Sequence, residues 1–96
     1  MAVTVYIPTP FRRATKNVDR VEVEAGSVAT LLDELERAYG GLKGLMRNER
    51  GELHQHVNIY VNSEGIETLH GVDTALRDGD EVAIIPALAG GRGARW

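Results

Sequence analysis

Cysteine is absent from the 96-residue chain, which excludes a disulfide framework, a thiolate metal site and thiol chemistry carried by the protein itself. Aromatic residues make up only 5%, so aliphatic side chains must supply most of one modest core. Long apolar runs are also missing, and no basic stretch followed by an apolar one opens the chain. The expected location is the cytoplasm, with no membrane as partner. Lysine is scarce, with Lys16 and Lys43 alone, so arginine carries most of the positive charge.

The balance of 11 basic and 14 acidic residues leaves a net charge of −3. Arg92 and Arg95 lie beyond Gly91, so a chain ending at Gly91 carries 9 basic against 14 acidic residues, a net −5. An acidic body disfavours nucleic acid, whose phosphates call for clustered lysine and arginine, and suits a partner with a basic surface.

Periodicity divides the chain into one-sided strands and a single strong helix. Residues 2–8 alternate, with Val3, Val5 and Ile7 on one side and Thr4 and Tyr6 on the other, until Pro8 and Pro10 stop them. Arg12 and Arg13 fall in a polar loop. Residues 18–24 predict a second strand, Val21 and Val23 inward, Arg20, Glu22 and Glu24 outward, hence a sheet covered on one face. Ser27 is an N-cap, and Val28, Leu31, Leu32 and Leu35 recur at helical spacing up to Tyr39. Gly40-Gly41 predicts a left-handed cap. Leu42, Leu45 and Met46 predict a short helical turn packed beneath the helix. Residues 56–62 predict a third strand with Val57, Ile59 and Val61 inward, followed by a tight turn over 62–65. Ile66 to Leu69 reads as a short edge strand, and Asp73 to Leu76 as one helical turn capped by Asp73. Arg77-Asp78-Gly79-Asp80 is a turn, and Glu81 to Ile85 the last strand, closed by Pro86.

The simplest packing lays the helix across the apolar face of a mixed sheet of about five strands, with the first and last strands adjacent at its centre. That is an α+β, β-grasp (ubiquitin-like) fold over residues 1–86. In residues 87–91, Ala-Leu-Ala-Gly-Gly, Ala87, Ala89, Gly90 and Gly91 carry too little side chain to be anchored by packing, which predicts an exposed tail. Glycine has no Cβ to collide with a narrow channel, so such a tail suits threading into another enzyme.

With these elements in place the chain resembles the ThiS/MoaD family of ubiquitin-like sulfur carriers, and within it the MoaD-like carriers of cysteine biosynthesis. The resemblance is carried by Val3 to Pro8, Leu31 to Glu36, His56 to Asn62 and above all Leu76 to Gly91, where Asp-Gly-Asp-x-Val, an apolar strand, proline and Gly-Gly follow in order. It implies a carrier and not an enzyme. Gly91 would be the reactive residue, with Gly90 and Ala89 giving its carboxyl access. A ubiquitin-activating-type enzyme would use ATP to adenylate Gly91, a sulfur donor would convert it to a thiocarboxylate, and a synthase would accept the sulfur. The carrier itself would bind no cofactor. The receiving route is cysteine, molybdopterin, thiamine or thiolated tRNA, with cysteine or another MoaD-like route foremost. One departure matters. Arg92-Gly93-Ala94-Arg95-Trp96 follows Gly91, whose carboxyl is therefore locked in a peptide bond. The resemblance then implies cleavage between Gly91 and Arg92, removing residues 92–96, by a JAMM-type zinc peptidase.

Competing readings are thinner. His54 and His56 share one face of their segment and, with His70, make a candidate metal set, but no cysteine or carboxylate pattern completes it. Glu34, Glu36, Asp78 and Asp80 are explained by a solvated helix face and a turn, without a pocket for acid–base work. The serious alternative is a ubiquitin-like protein modifier or interaction module, which needs the same Gly91.

Overall fold

A computed structural model of the protein describes residues 1–86. The strands are β1 (Ala2–Tyr6), β2 (Arg20–Glu24), β3 (Val57–Val61), β4 (Glu64–Gly65) and β5 (Glu81–Pro86), and the single α-helix among the described residues is α1 (Val28–Ala38). They form one five-stranded sheet in the order β2-β1-β5-β3-β4. β1 and β5 are parallel, and every other neighbouring pair is antiparallel. The β-grasp expectation, a mixed sheet of five strands with one main helix, describes this arrangement.

Alternation builds the core. Val3 and Val5 of β1, Ile59 of β3 and Val82 of β5 are buried, and so are Val28, Leu31, Leu32 and Leu35 of α1. These α1 positions make one stripe, and covering one face of a sheet with such a stripe removes both from water. Ser27 starts the helix as expected, its Oγ accepting a hydrogen bond from the Thr30 amide at 3.2 Å.

Several local expectations are corrected. β1 stops at Tyr6 and β2 begins at Arg20, because the intervening loop supplies its own bonds. The buried Thr15 hydroxyl lies 2.8 Å from the Val18 carbonyl, and Arg12 Nε donates to the Ile7 carbonyl at 3.0 Å. Gly40 and Gly41 are not a left-handed cap. Tyr39 ends α1 with φ of −131° and ψ of 89°, and the glycines open a 3-10 turn, Gly40–Leu42. Gly41 instead allows a close approach, since a Cβ there would stand a tight 3.1 Å from the Ala14 Cβ. Leu42 and Met46 are fully buried, whereas Leu45 points outward. The expected strand at 66–69 is a 3-10 turn, Ile66–Thr68, because the hairpin turn is only Asn62-Ser63 and the edge strand comes directly after it at Glu64–Gly65. A further 3-10 turn, Gly71–Asp73, contains Asp73 instead of being capped by it, and Thr74 Oγ1 accepts from the His70 amide at 3.0 Å.

Candidate functional site: the last strand and the open sheet face

The turn before β5 sets where that strand lies. Asp78 Oδ1 accepts from the Ala2 amide at 2.8 Å, Gly79 donates to the Ala2 carbonyl at 2.8 Å, and Thr4 donates to the Asp80 carbonyl at 3.0 Å. Gly79 has φ of 90°, a left-handed conformation that glycine adopts without a Cβ penalty. The Asp80 carboxylate accepts from the Arg77 amide at 2.8 Å and from Asn62 Nδ2 at 2.9 Å. The backbone bond, and then the Asn62 bond, hold the Asp80 carboxyl below the usual carboxylate range. Asn62 also accepts from the Glu81 amide at 3.0 Å. The start of β5 is thereby stitched to β1 on one side and to the β3–β4 hairpin on the other.

The two edges of β5 are unequal. Its pairing with β1 covers Glu81, Val82 and Ala83, but its pairing with β3 continues to Pro86 opposite Val57. Pro86 occupies the last strand position, where lacking an N–H costs no ladder bond beyond the end of β1. The residues expected to carry the chemistry, Ala89, Gly90, Gly91 and Arg92, lie outside the described residues, as do the whole tail 87–91 and the extension 92–96.

The face of the sheet away from α1 is open. Across it runs a cross-strand row of Arg20, Tyr6, Ala83 and Tyr60. Ile85 is 48% exposed in the same phase of β5. Tyr6, Tyr60, Ala83 and Ile85 line a shallow depression of about 300 Å³, with Asn62, Ser63 and Glu81 at its polar edge. The Arg20 guanidinium carbon sits 5.9 Å from the centre of the Tyr6 ring. The next row carries Glu22, Thr4 and Glu81. An exposed apolar centre beside acidic residues makes this face the candidate recognition surface. Sequence reasoning placed Tyr6 and Glu22 outward but did not assemble the depression. The signal was available in β5, where Ala83 and Ile85 are apolar in the outward phase of a one-sided sheet.

The other candidate side chains have structural partners. Glu34 pairs with Arg37 at 2.7 Å. Glu36 receives two bonds from Arg47, at 3.0 and 3.1 Å, while Asp33 receives a third at 2.8 Å. Hydrogen bonding to Glu36 raises the Arg47 pKa further, against the opposing effect of burial. His54 and His56 stack with ring centres 5.4 Å apart, and His54 Nε2 lies 2.9 Å from the Gly44 carbonyl oxygen. No group of three or more histidine or acidic side chains placed to hold a metal forms among the described residues. No helix among them is long and apolar enough to cross a membrane.

Comparison with known proteins agrees with this architecture. The sulfur carrier protein CysO of Mycobacterium tuberculosis is 40% identical over 93 residues, covering 95% of this chain and 100% of that protein. Small archaeal modifier protein 3 of Haloferax volcanii is 43% identical over 72 residues, covering 75% of this chain and 76% of its own. A chain in the crystal structure of the Amycolatopsis orientalis BexX/CysO complex superposes with a TM-score of 0.86 at 38% identity, covering 94% of this chain and 100% of that one. The ThiS family matches residues 5–91, so its last matched position is Gly91, the second glycine of the pair on which the sequence reading turned. A β-grasp sheet leading through Pro86 toward that diglycine, and a family match that stops there, establish that the chain belongs to the ThiS family.

Proposed function

We propose that the protein is a sulfur carrier whose chemistry resides in the carboxyl group of Gly91 and not in any side chain. The observation that carries this reading is the match of the family over residues 5–91, ending on the diglycine that follows β5. In this reading residues 1–86 are the body, 87–91 the tail and 92–96 an extension removed before use. Gly91 lies five positions beyond Pro86, a reach of about 17 Å when extended. That reach lets the terminal carboxyl enter an active site while the body stays outside, held by its open face.

The steps follow from carboxylate chemistry. Cleavage of the Gly91–Arg92 peptide bond, by a zinc peptidase of the JAMM type, exposes the carboxylate. A carboxylate resists nucleophiles because its charge is delocalised and oxide is a poor leaving group. An adenylating enzyme of the ubiquitin-activating type joins it to the α-phosphate of ATP, releasing pyrophosphate. Hydrosulfide then attacks the acyl carbon and displaces AMP, and loss of a proton leaves the thiocarboxylate. A synthase accepts that sulfur. Cysteine biosynthesis is the foremost route, with molybdopterin as the other MoaD-like one, and the cytoplasm, where ATP is available, is the compartment. Gly90 and Ala89 act by being small.

Intact mass spectrometry of residues 1–91, incubated with the adenylating enzyme, ATP and sulfide, tests this. The expected product has one oxygen replaced by sulfur. An unchanged mass with an active enzyme would reject the carrier reading. The second reading, a protein modifier, is favoured by the likeness to small archaeal modifier protein 3 and predicts isopeptide adducts of Gly91 on lysines of other proteins.

A further inference from the structure

An apolar depression facing water on a charged domain is unfavourable, and its surroundings state what fits it. Its centre is Tyr6, Tyr60, Ala83 and Ile85, and the adjoining row carries Glu22 and Glu81, neither of which has an ion-pair partner among the described residues. The Tyr6 ring already receives one guanidinium, that of Arg20. Among the described strand residues Arg20 is the one basic side chain of the face, and the N-terminal ammonium is engaged by Glu24, which leaves the Glu22–Glu81 side acidic. A second copy of the chain would bring acid against acid, with like-charge repulsion. The fitting occupant has an aromatic or other large apolar side chain and positive charges spaced to meet the glutamates.

The chain contains such a segment. Arg92-Gly93-Ala94-Arg95-Trp96 holds its one tryptophan and two arginines three positions apart, with no acidic residue. Trp96 lies ten positions beyond Pro86, about 33 Å when extended, whereas Ala83 lies only three residues back along β5, about 10 Å. A reversal within residues 87–91 leaves enough chain to lie along the face, and Gly90-Gly91 can take up left-handed backbone conformations. Because the segment is tethered, its effective concentration at the face is on the order of millimolar, so weak contacts suffice.

We propose that, before processing, residues 92–96 occupy the open sheet face of their own chain. Trp96 fills the depression, and Arg92 and Arg95 meet Glu22 and Glu81. The unprocessed protein thereby shields the surface that its adenylating enzyme needs. Cutting after Gly91 then frees the carboxyl and uncovers the docking face in one step. This rests on the carrier reading for its consequence, but not for the contact itself.

As the single tryptophan, Trp96 reports the contact directly. Its emission and acrylamide quenching would be measured in residues 1–96 and in the synthetic peptide Arg-Gly-Ala-Arg-Trp. The expected result is blue-shifted emission and at least twofold weaker quenching in the intact chain, reversed by Ile85→Glu in a protein whose circular dichroism is unchanged. Amide spectra of residues 1–96 and 1–91 should differ at Tyr6, Tyr60, Ala83 and Ile85. Quenching equal to that of the free peptide, with superimposable amides at those positions, would overturn the proposal. So would protection of Trp96 that survives Ile85→Glu with the fold intact. Failure of residues 1–91 to form a thiocarboxylate is a separate result that counts against the carrier reading alone.

Discussion

At the scale of single residues, Asp80 shows how one side chain positions the start of the last strand. Its two accepted bonds join the turn at Arg77 to Asn62 of the hairpin, and Asn62 in turn holds the Glu81 amide. Asp80→Ala should destabilise the protein by about 1 kcal/mol at pH 7, the usual scale for losing hydrogen bonds of this kind at a partly exposed site. The pH dependence follows from the lowered pKa of this carboxyl. Its stabilisation is present above the unfolded value of about 4 and is lost as pH falls through the lower folded value. The urea midpoints of wild type and Asp80→Asn should therefore differ at pH 7 and converge in strong acid. A gap that is constant with pH would remove the charge from the explanation. Ser63 offers a gain instead. Asn62 and Ser63 have φ of 51° and 73° in a two-residue hairpin turn, a place where asparagine is tolerated and glycine is preferred at the second position. Ser63→Gly should raise stability by about 0.5–1 kcal/mol in the same titration.

Among elements, the segment between α1 and β3 is held by Arg47, whose side chain is 14% exposed and binds Glu36 twice and Asp33 once. Arg47→Ala should cost about 1–2 kcal/mol, between the values for exposed and charge-assisted pairs. Arg47→Lys should recover only part of it, because an ammonium cannot present two parallel donors to Glu36. Equal stability of the lysine variant in chemical denaturation would argue that net charge, and not the forked geometry, is what matters. What was legible before the structure follows a physical rule. α1 and the cores of β1, β2, β3 and β5 were readable because each buries one face, and burial imposes a period on the sequence. The pieces that went unread are short and non-periodic. Ile66 and Leu69 suit a 3-10 turn as well as a strand, and what decides between them is the two-residue hairpin ahead, which leaves only Glu64–Gly65 to pair. Gly41 looked like a cap by its place after a helix, but what it allows is the close approach of Ala14 from a loop distant in sequence. An acidic, partly apolar sheet surface was expected to offer recognition, but the residues that assemble its depression escaped notice for a related reason. Tyr6, Tyr60 and Ala83 are remote along the chain and become neighbours only through the order β1-β5-β3.

For the whole molecule, charge and shape together predict how, on the proposed carrier reading, a chain ending at Gly91 would meet an adenylating enzyme. Ending at Gly91 leaves 9 basic and 14 acidic residues, and the open face adds Glu22 and Glu81 beside the apolar centre at Tyr60 and Ile85. Rim charges act mainly on encounter, because their fields extend about a Debye length, roughly 8 Å at physiological salt. Desolvated apolar contacts at the centre act mainly on dissociation. The two groups should therefore separate kinetically. With residues 1–91 and the adenylating enzyme in a surface-binding experiment, Glu22→Lys/Glu81→Lys should lower the association rate severalfold and flatten its fall with salt. Ile85→Ala should instead raise the dissociation rate, with little change in the salt dependence. Both variants should unfold as wild type does, since the exposed Glu22, Glu81 and Ile85 lie outside the buried core. If both mutations left the two rate constants unchanged while thiocarboxylate still formed, the enzyme would be recognising the tail alone. The open face would then have to serve a different partner, and the synthase that accepts the sulfur would be the next to test.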